Sequence, residues 1–112
     1  MAVLELPVRE RGVCCEPRRR MKPERVEQLT LVLKALADPT RLEMVAILRD
    51  ADQALCVCDF TTTFGLSQPT VSHHMGRLRD AGLVESTKAG IWAFYSLRRG
   101  LPPPVKRLVD AL

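Results

Sequence analysis

The clearest structural signal in the chain is a capped helix in residues 66–82, LSQPTVSHHMGRLRDAG. Ser67 is a favourable N-cap residue, and Gly82 suits the left-handed position that follows a helix. A helix advances 100° per residue, so apolar residues three and four apart share one face. The residues on that face are Val71, Met75 and Leu78. The segment therefore predicts an amphipathic helix that packs its apolar face into a core.

On both sides of this helix, the spacing of apolar residues predicts further helices and a hairpin. A short helix that ends at Gly65 completes a helix-turn-helix, and Asp38 with Pro39 is a typical helix start. The expected fold class is mainly α, a winged helix-turn-helix with about five helices and a two-stranded hairpin as the wing. The other predicted elements are helices over 24–37, 39–50, 55–64 and 105–112, the last one starting after Pro102-Pro103-Pro104, and strands over 83–87 and 91–97 joined by Lys88-Ala89-Gly90.

Length and composition limit the chain to one small domain with a basic arm. The chain has 112 residues, of which 46% are hydrophobic and 27% charged, and its net charge is +4. This composition is typical of a globular protein, and the chain is too short for a dehydrogenase or a kinase. Residues 1–23 predict a flexible basic arm that carries Cys14 and Cys15, and residues 24–112 predict a DNA-binding and dimerisation domain. No signal peptide or membrane span is evident, so we expect a protein of the reducing cytoplasm with no membrane partner.

The polar face of the helix in 66–82 carries residue types that read DNA. Thr70, His73 and Arg77 cluster on the face opposite the apolar one. This polar face lacks the alternating Glu and Lys residues of a helix that is only solvated. Glutamine can read adenine and arginine can read guanine, whereas hydroxyl groups contact bases or phosphates. We expect His74 to pack at the edge of the core rather than to read bases. The candidate contacts to double-stranded DNA are Ser67, Gln68, Thr70, Ser72, His73 and Arg77, with Lys88 in the wing.

Three segments resemble the ArsR/SmtB family of winged-helix repressors: Ala37-Asp38-Pro39-Thr40-Arg41-Leu42, residues 66–74, and Ala81-Gly82-Leu83-Val84. The resemblance covers roughly residues 24–100. It implies a homodimer that pairs the first and last helices, a two-fold symmetric operator, and release of that operator when metal binds. The chain departs from the family pattern in two places. Its wing has one basic residue, Lys88, and its last helix has no histidine for the zinc site that some relatives build there.

Cys56 and Cys58 resemble the metal-binding stretch of the arsenic, antimony, cadmium and lead sensors of this family. Thr61 stands where arsenic sensors often carry a third cysteine, so Cys14 and Cys15 of the arm are the candidates for the missing ligands. On a regular helix, residues two apart point about 200° apart. One ion could then bind both thiols only by disturbing the helix, and we expect that strain to reach the DNA-reading helix.

These features together predict a repressor that releases DNA when trivalent arsenic or antimony binds cysteine thiolates, with no organic cofactor. The alternatives are a cadmium or lead sensor with four thiolates, a redox- or persulfide-responsive repressor, and a constitutive DNA-binding module. The cysteines also have a simple structural interpretation as small apolar or solvated residues. Enzyme chemistry with a cysteine and His73 or His74 is disfavoured, because both histidines lie on the DNA-reading helix.

Overall fold

The computed structural model describes residues 4–112 and contains five helices and one three-stranded sheet. The elements are α1 (Pro23–Leu36), α2 (Pro39–Asp50), β1 (Leu55–Cys56), α3 (Val57–Phe64), α4 (Gln68–Asp80), β2 (Val84–Ala89), β3 (Trp92–Leu97) and α5 (Pro103–Asp110). The strand order is β1-β3-β2, and both pairs are antiparallel. Residues 4–22 are exposed and contain no helix or strand. None of the described helices is both long and apolar enough to cross a bilayer.

The starts of α2 and α4 follow the capping signals in the sequence. The Asp38 carboxylate accepts a hydrogen bond from the Arg41 backbone amide at 2.9 Å, and this bond lowers the pKa of Asp38 below its usual value. Ser67 caps α4, and Gly82 follows that helix with a left-handed φ of 77°. The predicted start and end of helix α4 are therefore confirmed.

The apolar face of α4 lies at the centre of the core. Val71, Met75 and Leu78 are fully buried, as their spacing predicts. Buried residues from the other helices and from the sheet complete the core, among them Val32, Val45, Phe60, Tyr95 and Val105. This packing fixes α4 on the domain, so that its opposite face points outward.

One apolar face of α1 is not covered by the described chain. Val32 and Leu36 are buried in the core, whereas Val26 and Leu33 are 46% and 51% exposed. The two exposed residues are seven positions apart and therefore share one face of the helix. An uncovered apolar face on a small domain is typical of an association surface.

The third helix begins later than predicted. Leu55 and Cys56 form strand β1, which pairs with Tyr95 and Phe94 of β3. The prediction of a helix from residue 55 was wrong, because both residues take part in the sheet. The predicted two-stranded hairpin thereby becomes a three-stranded sheet, and Cys56 becomes the residue at which a strand changes into a helix.

Two further boundaries differ from the prediction. The hairpin turns at Gly90 and Ile91, and Lys88 lies on β2 opposite Ala93 rather than in the turn. Gly90 adopts a left-handed φ of 62°, which favours glycine at a tight hairpin turn. The last helix begins at Pro103 and not after the three prolines, because the first helical positions need no backbone amide hydrogen.

Candidate nucleic-acid interface and thiol cleft

The outward face of α4 is open to solvent. Ser72, His73 and Arg77 are exposed, as the helix projection predicts. Gly76 lies among them, and nothing stands within 4 Å of the point where a Cβ atom would be. Packing within the chain therefore does not require a glycine at this position, whereas close approach by another molecule would benefit from one.

The N-terminal end of α4 presents two hydroxyl groups and one amide. Ser67 Oγ accepts a hydrogen bond from the Thr70 backbone amide at 3.4 Å and shares another with Thr70 Oγ1 at 2.8 Å. Gln68 is exposed at the first helical position. A helix N-terminus favours phosphate groups, so this end of α4 suits a DNA backbone as well as base edges.

A basic cleft beside α4 was not predicted from the sequence. His73 and Arg77 line a cavity of about 350 Å³ together with Lys34 of α1 and Arg41 of α2. We name this cavity the cationic cleft, because Asp80 is its one acidic lining residue against three cationic side chains and a histidine. Clustered positive charge of this kind is the electrostatic footprint expected for phosphate binding.

Arg41 of α2 forms hydrogen bonds to both α1 and α4. Its Nε donates a hydrogen bond to the carbonyl oxygen of Ala35 at 2.6 Å, and its Nη1 donates to His74 Nδ1 at 3.3 Å. His74 is half-buried, which agrees with the prediction that it packs at the edge of the core. The sequence predicted no separate role for Arg41, although its position three residues after the Asp38 cap was a usable signal.

The wing carries few charges. Lys88 is exposed on β2, and Arg98 and Arg99 are exposed immediately after β3. The last two place positive charge at the base of the wing, where the sequence analysis assigned none. Lys88 stays a predicted phosphate contact, now on a strand rather than in a turn.

Cys56 is the last residue of strand β1 and directly precedes helix α3. It has extended backbone angles and occupies the N-cap position of α3, so it lies outside the helix. Its backbone amide donates a hydrogen bond to Asp59 Oδ2 at 2.8 Å, which is one half of a capping box. The expectation that Cys56 and Cys58 lie in one regular helix was wrong, so the angle of about 200° does not apply to them.

The two thiols of this segment line the same cavity. Cys56 is buried and Cys58 is exposed. A hydrogen bond between their side chains raises the pKa of Cys58 above its usual value, and the charges of Cys56 and Asp59 act in the same direction. The proton of Cys58 is therefore held more firmly than that of an ordinary thiol, in a cavity that Cys56 also lines.

A cavity of about 330 Å³ lies in front of these thiols. We name it the thiol cleft. Its lining includes Cys56, Cys58 and Thr61 from β1 and α3, Gln68 at the start of α4, and Ile91 and Trp92 at the tip of the wing. The Thr61 hydroxyl donates to the Cys58 carbonyl oxygen at 2.9 Å. The cleft thus touches both elements that a winged helix uses on DNA.

The arm cysteines lie apart from this cleft. Cys14 and Cys15 are exposed in the segment before α1, and they are not among the residues that line the thiol cleft. Residues 4–112 contain no group of three or more His, Cys, Asp or Glu side chains placed to hold a metal ion. The chain alone thus brings together two of the four predicted ligands, and a site with all four stays a prediction.

The sequence matches a known family over the helix-turn-helix. The family model described as "Bacterial regulatory protein, arsR family" matches residues 38–86. A curated relative from Staphylococcus xylosus, named "Arsenical resistance operon repressor", is 44% identical over 86 residues. That alignment covers 77% of this chain and 81% of the relative.

Solved structures agree with this match. HlyU from Vibrio cholerae superposes with a TM-score of 0.68 at 29% identity, covering 80% of this chain and 92% of that one. A homodimeric winged helix-turn-helix DNA-binding domain from Mycobacterium bovis, Mb0332, superposes with a TM-score of 0.65 at 27% identity, covering 79% and 77%. These relatives are DNA-binding regulators rather than enzymes. The chain therefore belongs to the ArsR/SmtB family of winged helix-turn-helix transcriptional repressors.

Proposed function

We propose that the protein is a homodimeric repressor that releases its operator when trivalent arsenic or antimony binds its cysteine thiols. The observation that carries this proposal is the thiol cleft, which Cys56 and Cys58 line together with Gln68 of α4 and with Ile91 and Trp92 of the wing. A ligand bound there contacts the DNA-reading machinery directly. Since its partner is operator DNA, we propose that the repressor acts in the cytoplasm.

The exposed face of α4 is the proposed reading surface. Each α4 of a dimer would enter a major groove, with half-sites about one helical turn or a multiple of it apart. Ser72, Gln68 and Arg77 supply groups for base edges, and Lys34 in the cationic cleft supplies charge for the adjacent phosphates. A DNA site selected from a random-sequence pool by the reduced protein would serve as the operator in every test below.

The donor set of the thiol cleft fits a soft acceptor. It consists of thiols without a histidine or carboxylate ligand, which favours arsenic, antimony, cadmium or lead over harder ions. Trivalent arsenic without a carbon substituent takes three sulfurs, one more than the cleft offers. The segment from Cys15 to Pro23, when extended, spans up to about 28 Å, so the arm is long enough to search for the cleft of its own chain or of a partner.

The raised pKa of Cys58 favours arsenite over a divalent cation. Arsenite condenses with thiols and forms water, so no net proton is released. Cadmium must displace the Cys58 proton, which is held more firmly than in an ordinary thiol. We therefore expect cadmium affinity to rise about tenfold per pH unit for each thiol deprotonated between about pH 6 and about pH 8, and arsenite affinity to change little.

Titration of the reduced protein, followed by near-ultraviolet sulfur-to-metalloid absorption, measures both affinities. Arsenite affinity that climbs with pH as steeply as cadmium affinity would contradict the proposed chemistry. Tighter cadmium than arsenite binding at about pH 7, with four sulfurs by X-ray absorption, would favour the cadmium or lead alternative instead.

A redox- or persulfide-responsive repressor is the second candidate, because two thiols that line one cavity could be oxidised to a disulfide. The raised pKa of Cys58 counts against it, since oxidant-sensing cysteines react as thiolates and have lowered pKa values. Release of operator by peroxide or persulfide, with no response to arsenite, would support this candidate over the proposed one.

The uncovered face of α1 supports the dimer. Replacing Val26 and Leu33 together by Glu is expected to shift the protein from dimer to monomer, because two charges would be placed in an apolar interface. Both residues are about half exposed in the single chain, so the fold itself should survive. Sedimentation velocity measures the mass, and circular dichroism controls for folding. A folded double variant that still sediments as a dimer would place the interface elsewhere.

A further inference from the structure

The tip of the wing carries a large apolar side chain that packing within the chain does not use. Gly90 and Ile91 are the two turn residues between the paired Ala89 and Trp92. Ile91 is 91% exposed and is not among the apolar residues that pack against the core. A single exposed apolar residue is ordinary on a protein surface, but turns usually carry glycine, asparagine, aspartate, serine or proline. The position of Ile91 at a turn therefore calls for an explanation.

The geometry of the turn does not favour isoleucine. Gly90 has a left-handed φ of 62°, whereas no residue other than glycine in residues 4–112 has a positive φ. A two-residue turn of this kind is type II′, which needs glycine at its first position and accepts a small polar residue such as serine at its second. Isoleucine is a strand-forming residue, and a serine would serve the free protein better. Ile91 therefore indicates a partner that covers it.

The wing tip is continuous with the DNA-reading surface. Ile91 and Trp92 line the same cavity as Gln68, the first residue of α4. When α4 lies in a major groove of B-DNA, the next groove along the duplex is a minor groove, about half a helical turn or about five base pairs away. The surface that Ile91 meets in the bound repressor is therefore the minor groove beside the half-site.

The wing offers this groove little charge. Lys88 is the only charged residue in residues 86–97. Several minor-groove proteins instead insert an apolar side chain between two base pairs, which unstacks the bases and kinks the duplex. Isoleucine is one of the residue types used in this way, and its branched side chain has few rotamers to lose on insertion. An isoleucine on a tight two-residue turn has the shape and the chemistry of such a wedge.

We propose that Ile91 inserts between two base pairs of the minor groove beside each half-site and bends the operator. The inference rests on the DNA-binding repressor proposed above, and it does not depend on the response to arsenic. Pyrimidine–purine steps such as TA and CA unstack most easily, so the operator should carry one at this position. The wing then selects sequence through the deformability of DNA and not through hydrogen bonds to bases.

The test first locates the unstacked step. 2-Aminopurine is a fluorescent base whose emission rises when it loses its stacking partners. It is placed at successive positions of the selected DNA site, and each duplex is mixed with the reduced full chain. We expect emission to rise at one step per half-site, about five base pairs from the bases contacted by the N-terminal end of α4. Energy transfer between dyes on the two DNA ends should report a bend of at least about 20°.

Substitution of Ile91 then removes the wedge. Ile91→Ser leaves a sequence that two-residue turns accept, so circular dichroism and the melting temperature should stay unchanged. We expect this variant to lose the 2-aminopurine signal and most of the bend, and to bind the selected site about threefold to tenfold more weakly. Ile91→Leu should keep the signal and the bend, because leucine has a similar volume and is also found as a wedge.

Two matched comparisons separate a wedge from a wing that only touches phosphates. Ile91→Lys should steepen the salt slope by about one, as an added phosphate contact does, without restoring the signal or the bend. Replacing the flexible step of the DNA by a stiff A-tract should weaken binding by the parent protein but leave binding by Ile91→Ser nearly unaffected.

Unchanged emission and bend with Ile91→Ser would overturn the inference. So would a change in the sedimented mass of Ile91→Ser without DNA, which would assign the wing tip to contacts between protein chains. In either case the proposed function stands as long as the parent protein binds a selected DNA site and arsenite releases it. If the random pool yields no such site, the proposed function fails as well.

Discussion

Cys56→Ser is expected to give a repressor that stays on its operator at arsenite concentrations that release the parent protein. Serine keeps the size of the side chain and is a preferred N-cap residue, so α3 and the β1–β3 pairing should persist. Its hydroxyl group is a poor ligand for a soft acceptor. A coupling of about 1–3 kcal/mol between arsenite and operator binding corresponds to an operator affinity that falls about 5- to 150-fold when arsenite binds the parent protein. The variant should lose nearly all of this response.

Fluorescence anisotropy of labelled operator, titrated with arsenite, measures this loss. Ala54→Ser is the matched control, because Ala54 is exposed two residues away and does not line the thiol cleft. The control should respond like the parent protein. A Cys56→Ser variant that binds operator normally and still releases it at the parental arsenite concentration would remove Cys56 from the site.

The place of Cys56 in the chain explains how binding there would reach the DNA. The residue pairs with Phe94 of β3, caps α3, and donates its amide to Asp59. A ligand on its sulfur pulls on a residue shared by the wing and the helix-turn-helix. In the function proposed above, the coupling would act through the cap and the strand, and not through strain inside a regular helix as the sequence suggested.

The helix-turn-helix was predictable because its signals are local. The Ser67 cap, the spacing of Val71, Met75 and Leu78, and Gly82 all lie within one helix, and each has a direct physical meaning. Strand β1 was missed because two residues give no periodicity. Leu55 and Cys56 become a strand only by pairing with Tyr95 and Phe94, which lie 40 and 38 residues further along the chain.

The candidate site was also predictable only where its signals lie within one helix. Helix projection correctly placed Ser72, His73 and Arg77 on an exposed face. The cavity that Cys56 and Cys58 share was not predictable, because it depends on the late start of α3 and on the packing of the wing against it. The cationic cleft was missed for a related reason: Lys34 and Arg41 come from two other helices, and only the packing of α1 and α2 against α4 brings them beside Arg77.

Replacing both Ser72 and Arg77 by Ala is expected to remove most of the discrimination between the selected DNA site and random DNA. Each contact to a base edge is worth about 1–3 kcal/mol, so the double variant should lose at least about tenfold in specific affinity. Both side chains are exposed and point away from the core, so the melting temperature should stay close to that of the parent protein.

Two single variants separate base reading from charge. Lys88→Ala should weaken binding to all sequences alike and lower the salt slope by about one, as loss of a phosphate contact does. Arg79→Ala removes the same charge as Arg77→Ala from the same helix, but about 200° further round it, and should leave discrimination unchanged. If the Ser72 and Arg77 double variant weakens selected and random DNA equally, these residues contact phosphates and another part of α4 reads the bases. In that case the exposed Gln68 at the N-terminal end of α4, where a recognition helix most often meets base edges, becomes the reader to test.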